Sequence, residues 1–469
     1  MENGMSRDIS RPNSFTHGPI LPALAKTALP IVFVMSMNGL LTVVDAIFLG
    51  LYVGPDALSA VTLMFPAYML LAALVTLVAS GMSSVLARRL GAGNHDAAEA
   101  AYAGAHGLAL AVSGAVIALF LFFGNTLTLA AADGLVEIAG MSHTYLAITV
   151  VFSPLMFVLS VNADALRNEG LAMVMAGLSL LVSLANIGFD YLLVAVFDYG
   201  VAGSAAGTVL AQVVALALML GLRLGGRCTL HPRALLRHSP LSDWRSILAL
   251  GAPPSLSFIG IALGSAATIA ALQSTAVSSY DATVAAFGII TRIMTFCYLP
   301  LLGLAQALQA MIGNNAGAGL WHRSDETLRL GLLSAFAYCC AVEGILSLFA
   351  AVIGGAFVDD PAVTGEVGRI LPIMVAMYFA AGPLFMVATY FQALGDATRA
   401  ALLSLAKPYL FLLPMVLVLP LFTGEVGIWL AGPASEIMLL VLTISVLAVA
   451  ARGGTARWGL FRAVPALAE

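Results

Sequence analysis

Charge is what this chain has least of. Of its 469 residues only 9% are Asp, Glu, Lys or Arg, against roughly 25% in a soluble domain. Such a surface cannot face water on all sides, which excludes an ordinary soluble globular fold. Cysteine is scarcer still. Cys228, Cys297, Cys339 and Cys340 have neither metal-ligand nor disulfide-framework spacing, so the adjacent pair is expected to serve packing. Nothing suggests nucleic-acid binding. The net charge of −4 carries little information, because the message lies in where the charges fall.

What fills the chain instead is apolar sequence. Hydrophobic residues make up 61% of it, and uncharged runs of about 20 residues or more recur, the signature of helices that cross a bilayer. The polar start, 1–18, leads into an apolar run too long for a signal-peptide core, so no cleaved leader is expected. Reading the runs between turn and charge signals gives twelve spans, at 24–50, 58–86, 98–123, 138–165, 171–197, 201–224, 244–272, 282–311, 327–355, 367–393, 399–421 and 426–450.

Basic residues orient these spans. Apart from Arg292 within a span and Arg369, every Lys and Arg falls at the termini or by an even-numbered connection: Arg7, Arg11 and Lys26, then Arg88 and Arg89, Arg167, the run from Arg223 to Arg245, Arg323 and Arg329, Arg399 and Lys407, and the tail. The positive-inside rule places that face, with both termini, in the cytoplasm. The division expected is a cytoplasmic segment 1–23, a six-helix bundle 24–224, a basic linker 225–243, a second bundle 244–450 and a cytoplasmic tail 451–469.

The two halves repeat. Asp56 to Asp281 is 225 residues, Gly91 to Gly317 226, Pro154 to Pro383 229 and Gly203 to Gly427 224. Because six is even, both halves enter the membrane in the same direction, and their pseudo-two-fold axis runs along the membrane normal. The fold class is therefore an all-α membrane protein of 12 transmembrane helices in two bundles. A cleft between like-oriented bundles can open to one side and then the other.

One stretch carries the chemistry. Asn186 and Asp190 lie four residues apart inside the fifth apolar run, so a helix puts them on one face. A carboxylate within a bilayer costs about 2.5–3.5 kcal/mol on insertion scales and is by default a functional-site hypothesis. Asp190 precedes the outer turn near Tyr199 by nine residues and Thr208 follows it by nine, so both lie about 13–14 Å down at 1.5 Å per residue. Asp45, eight residues before the outer connection at Val53, sits at about 12 Å by the same rise. Two carboxylates, an amide and a hydroxyl at one level form a candidate site for H⁺ or Na⁺. The bland alternative is a polar pair pinning one helix to another.

Other intramembrane residues are weaker signals. Pro30 removes a backbone hydrogen bond from the first span and permits a kink. Asn38, Met35, Phe65, Met69, Met294, Tyr298, Arg292 and Glu436 are candidates for a substrate cleft, although most apolar ones would serve packing or face lipid. Arg292 and Glu343 need partners or a wet cavity. Asn162 and Asp164, near the cytoplasmic end of the fourth span, are expected to be solvated.

Taken together, Asp45-Ala46-Ile47-Phe48-Leu49-Gly50, Arg89-Leu90-Gly91-Ala92-Gly93-Asn94, Arg167-Asn168-Glu169-Gly170, Asn186 to Asp190, Gln306-Ala307-Leu308-Gln309 with Gly313 to Ala318, and Gln392-Ala393-Leu394-Gly395-Asp396 resemble the multidrug and toxic compound extrusion (MATE) family, in its DinF/MepA-like bacterial branch. The resemblance covers nearly all of 20–450. It implies a multi-pass protein of the bacterial inner membrane, not an enzyme and without a cofactor, that exports small amphipathic, often cationic, drugs or metabolites in exchange for H⁺ or Na⁺. A monomer in contact with membrane lipid is expected. In the related branch an Asp of the first span, an Asn and Asp of the fifth and a Thr of the sixth form the coupling site. These fall on Asp45, Asn186, Asp190 and Thr208, which are also the residues that would hold Na⁺, while the bending proline falls on Pro30. The NorM-like branch uses acids in spans seven and ten; here those spans contain none. Leu405-Ala406-Lys407-Pro408 departs from the Arg-Gln often seen in span eleven.

The alternative is a flippase for a lipid-linked precursor, which shares like-oriented repeats but would need a basic cleft for diphosphate. Only Arg292 and Lys407 lie in or near the spans. A membrane-embedded transferase would want a His/Asp or paired-Asp motif at the interface, which His143 and Asp359-Asp360 do not make.

Overall fold

In hydrocarbon a backbone must satisfy its own hydrogen bonds, so long apolar runs have helix as their one open structure. The computed structural model describes residues 13–226, 228–275 and 279–452, all of it helix and connecting turn, with no strand among the described residues. Among the described residues ten helices are long and apolar enough to cross a membrane, and two bent helix pairs, each taken as one span, bring the number to twelve. Span 1 is Ile20–Tyr52, span 2 Phe65–Gly91 (reached through a short helix, Pro55–Leu63) and span 3 His95–Ala131. Span 4 is the pair Val136–Val151 and Ser153–Asn168, span 5 is Ala172–Asp190 continued by a π-helix Tyr191–Val196, and span 6 is Gly200–Leu224. The second half repeats the order: span 7 Trp244–Ser274, span 8 Tyr280–Gly317 and span 9 Trp321–Leu348. Span 10 is the pair Pro361–Met374 and Tyr378–Leu394, span 11 is Ala397–Thr423, and span 12 is Glu425–Arg452.

The two broken spans are equivalent. Span 4 bends by 47° at Phe152, and span 10 by 50° at Val375–Met377, positions about 224 residues apart in a chain whose Gly91 and Gly317 differ by 226. In span 4 Pro154 stands in the first turn of the second helix, where its missing N–H is no loss. In span 10 the freed N–H of Phe379 is taken by the Glu343 carboxylate at 2.8 Å. Glu343 thus has the partner its depth demands.

The repeat is also visible where the halves meet. Span 1 packs on span 8, span 7 on span 2, and spans 2 and 8 on each other. Exchanging the halves turns the first pair into the second and leaves the third unchanged, as a two-fold axis between spans 2 and 8 requires. At the cytoplasmic end a Cβ on Gly91 would stand 1.9 Å from the Asn314 carbonyl oxygen, and one on Gly317 would stand 1.9 Å from that of Arg88. Each glycine therefore seats the backbone of the other half, and no larger residue fits.

The basic linker packs on the first half. Leu230 and Ala234 are buried with spans 2 to 4, Trp244 Nε1 donates to the Gly104 carbonyl at 2.9 Å, and Arg89 Nη2 donates to Asp243 at 2.6 Å. Here the structure corrects the solvated reading of Asn162 and Asp164. Asn162 is 1% exposed and accepts from Tyr102 Oη at 2.6 Å and from Arg223 Nε at 2.7 Å. Arg223 also donates to Glu169 at 3.0 Å and to the Leu230 carbonyl at 2.9 Å, tying span 6 and the linker to span 4. Asp164 holds Arg167 at 2.8 Å. Counting residues to the nearest loop placed these groups in water, whereas long cytoplasmic helix extensions and the folded linker cover them.

Candidate functional site

Span 5 delivers Asn186 and Asp190 to one face, as their spacing predicts, and both are buried. The Asn186 amide Nδ2 lies 3.3 Å from Asp190 Oδ2 and 3.2 Å from Thr208 Oγ1 of span 6, to each of which it donates. Thr208 donates in turn to the Ser204 carbonyl at 3.3 Å. One amide therefore joins the carboxylate of one helix to the hydroxyl of the next. The side chains of Asn38, expected in the cleft, and of Asp45, expected as the second carboxylate, lie outside the described residues.

Two local features make the site. Gly203 and Gly207, one turn apart on span 6, let the two helices approach closely, the small-xxx-small device of membrane helices. A Cβ on Gly207 would stand 2.2 Å from Asp190 Oδ1, so the carboxylate occupies the space a side chain would fill. Immediately after Asp190 the helix widens to a π-helix, with Phe197 N–H bonded to the Leu192 carbonyl five residues back. Single π turns inside α-helices frequently mark functional sites. Nothing in the hydropathy pattern announces this one; the Gly203-Ser204-Ala205-Ala206-Gly207 spacing is the signal that could have found the packing.

The remaining candidates scatter. Pro30 is buried inside span 1, which runs as one helix through it. Met35 packs against the cluster between the halves, and Met294 against the core of the second half. Tyr298 faces Phe385 with ring centroids 5.6 Å apart. These three are packing residues, because each helix spends most of its apolar surface on neighbours. Glu436 is 6% exposed and ion-paired with Lys407 inside the second half, which removes it from an open cleft wall. Phe65 is 51% exposed, Met69 is half-buried, and Arg292 is exposed.

A group the sequence reading missed closes the cytoplasmic side. Arg167 of span 4 donates to Gln306 of span 8 at 2.8 Å and to Ser83 of span 2 at 3.1 Å. Ser83 donates to Gln309 at 3.1 Å, and Asn168 donates to Ser83 at 2.8 Å. Gln392 of span 10 donates to Ser80 at 3.0 Å, Arg88 to the Ala393 carbonyl at 2.9 Å, and Asn13 to Asn314 at 2.7 Å. The helical members of this group all come from the cytoplasmic part of their spans. Above this level spans 1 and 8 stay in close contact. Gly303 abuts Val32, and Gly39 abuts Leu299 and Phe296, while further outward Ala285 and Arg292 on the same stripe of span 8 are exposed. The halves are tied together toward the cytoplasm, and farther out on span 8 the stripe that faces span 1 becomes exposed.

Comparison with known proteins agrees with this architecture. The MatE family profile matches residues 30–192 and 254–418, one segment in each half. The chain is 25% identical to the FAD transporter of Shewanella oneidensis over 90% of this chain and 93% of that protein. It is 22% identical to the multidrug export protein MepA of Staphylococcus aureus over 88% and 90%. Among solved structures, it superposes on an outward-facing multidrug resistance MATE transporter of the MOP superfamily with a TM-score of 0.84, at 21% identity, covering 94% and 99%. It superposes equally on a MATE protein in the bent conformation, with a TM-score of 0.85 at 22% identity over 95% and 99%. Two six-span repeats around an inter-half seam, each matched by the same profile, make this chain a member of the MATE family of multidrug and toxin extrusion transporters.

Proposed function

We propose that the protein is a secondary active antiporter of the bacterial inner membrane that exports amphipathic organic molecules in exchange for H⁺ or Na⁺, its halves rocking about the seam of spans 1, 2, 7 and 8. The observation that carries this is Asp190, 1% exposed and linked through Asn186 to Thr208. A buried carboxylate within reach of further oxygens offers ligands to a hard cation, and it is neutral once protonated. A bare charge within a span is costly, so taking up a cation favours the state in which the site is most enclosed. That difference between the two facings is what a coupling ion needs in order to bias them. Asp45 of span 1 is proposed as the second carboxylate.

The cargo is proposed at the level of amphipathic organic molecules, since the relatives are named for multidrug export and for FAD transport. The flippase alternative finds no support in the basic residues: Lys407 is held by Glu436, leaving one arginine where a diphosphate needs several. The deciding experiment imposes a pH gradient and a sodium gradient separately on everted vesicles and follows dye transport. Asp190→Asn is expected to abolish gradient-driven transport with the protein still inserted. Undiminished transport in that variant would remove the coupling assignment.

A further inference from the structure

We infer that Arg292 is a substrate-binding residue in the outward-facing cleft and that it selects cargo carrying an anionic group, a carboxylate, sulfonate or phosphate on an amphipathic body. This rests on the antiporter reading and adds the substrate class to it.

Arg292 lies twelve residues along span 8 from its outer end at Tyr280, about 18 Å along the helix at 1.5 Å per residue. Its orientation follows from its neighbours. Residues 292, 296, 299 and 303 fall on one stripe of a helix. Of these, Phe296 and Leu299 meet Gly39 of span 1, and Gly303 meets Val32. Arg292 is thus the next position outward on the surface that faces span 1. It is exposed there. An arginine within a span is costly against lipid, so it belongs to the wet side of the opening.

Among the described residues the other mid-depth charges are matched. Lys407 is held by Glu436, Glu343 takes the Phe379 N–H, and Asp190 accepts from Asn186. Among the described residues no carboxylate pairs with Arg292, and no hydrogen bond engages it. A guanidinium presents a planar fork of donors suited to carboxylate and phosphate oxygens. Unmatched by those residues, it is a fixed positive charge in the passage that repels cations and binds anions.

The sign has an energetic consequence. Export of a monocation against one entering proton moves no net charge, whereas export of a monoanion moves two positive charges inward, so a potential negative inside drives the second and not the first.

The test uses the full chain in proteoliposomes with ethidium as monocation and a naphthalene sulfonate as monoanion, under an imposed pH gradient with and without a potassium-diffusion potential. The sulfonate is expected to be transported and accelerated by the potential. In Arg292→Gln the ratio of sulfonate to ethidium rate is expected to fall at least tenfold, and in Arg292→Lys to be largely restored. A sulfonate rate at the protein-free background while ethidium is carried, or an unchanged ratio in Arg292→Gln, would overturn the inference and leave the antiporter reading standing. Asp190→Asn, run alongside, reports on that reading. Gradient-driven ethidium transport surviving in it would bring both down.

Discussion

Gly207 of span 6 stands where the Asp190 carboxylate of span 5 needs room: a Cβ there would come within 2.2 Å of Oδ1. The pairing makes the site depend on a residue that contributes no chemistry. Gly207→Ala is expected to push Asp190 off its position and to cost about 1–3 kcal/mol of strain, the usual range for overpacking. The protein should still insert, since the twelve-span architecture does not hang on this contact. Gradient-driven transport should fall by at least tenfold, while Gly221→Ala, at a glycine with open space around it, should behave as wild type. Equal transport by the two variants would show that Asp190 does not need the seat.

Asn186 is the hinge of the polar group, donating both to Asp190 and to Thr208. Hydrogen bonds to charged groups contribute about 1.5–3 kcal/mol, so Asn186→Ala should weaken ion-driven transport by one to two orders of magnitude. Thr208→Val keeps the shape and removes one acceptor. It should cost less than Asn186→Ala, because the amide keeps its bond to the carboxylate. Transport rates at saturating gradient, measured on equal amounts of inserted protein, check the ranking; Thr208→Val exceeding Asn186→Ala in effect would contradict it.

The parts of the fold that were legible in the sequence are those that a one-dimensional pattern can carry. Apolar run length gave the spans, the offsets between Gly91 and Gly317 gave the repeat, and the i, i+4 spacing put Asn186 beside Asp190. Counting from the turn at Tyr199 brought Thr208 to the same level. What stayed hidden depends on partners distant in sequence. A hydropathy reading cannot tell that span 10 breaks at Val375–Met377, because the break is sustained by Glu343 of span 9. Nor can it tell that Asn162 is dry, because what dries it is Arg223, 61 residues on, and the linker beyond. A substrate cleft is not legible in composition for the same reason. Met35 and Met294 have the composition of a drug-binding surface, and so does any packed helix face.

The polar closure at the cytoplasmic side is expected to set the balance between the two facings. Arg167 bridges the halves through Gln306, and Ser83 does so through Gln309. Gln306→Leu leaves the buried Arg167 guanidinium with one acceptor fewer only while the halves are shut, so it penalises the shut state selectively. Removing such a bond costs about 1–3 kcal/mol, which shifts a two-state equilibrium roughly five- to a hundredfold toward cytoplasmic opening. A cysteine at Ala87, fully buried against Gly313, should then react with a membrane-impermeant maleimide added from the cytoplasmic side several times faster than in the Gln306 parent. An unchanged labelling rate would mean that the network is decoration on a seam held by apolar contacts alone.

A strict requirement on that seam is the exchange between Gly91 and Gly317. Each lies 1.9 Å, by its missing Cβ, from a carbonyl oxygen of the opposite half, Asn314 in one case and Arg88 in the other. Backbone cannot yield as the tip of a long side chain can, so Gly91→Ala and Gly317→Ala should each keep the halves from closing on the cytoplasmic side. The two-fold relation adds a quantitative constraint: the substitutions meet equivalent obstacles and should raise labelling of the Ala87→Cys probe by similar factors. Both should also lower transport, since a protein that cannot shut inward cannot complete a cycle. Combining them should add little, because one clash already holds the ends apart and non-additivity is the rule for residues sharing one contact. If Gly91→Ala traps the protein open and Gly317→Ala leaves it cycling normally, the halves do not meet as symmetric partners when they close.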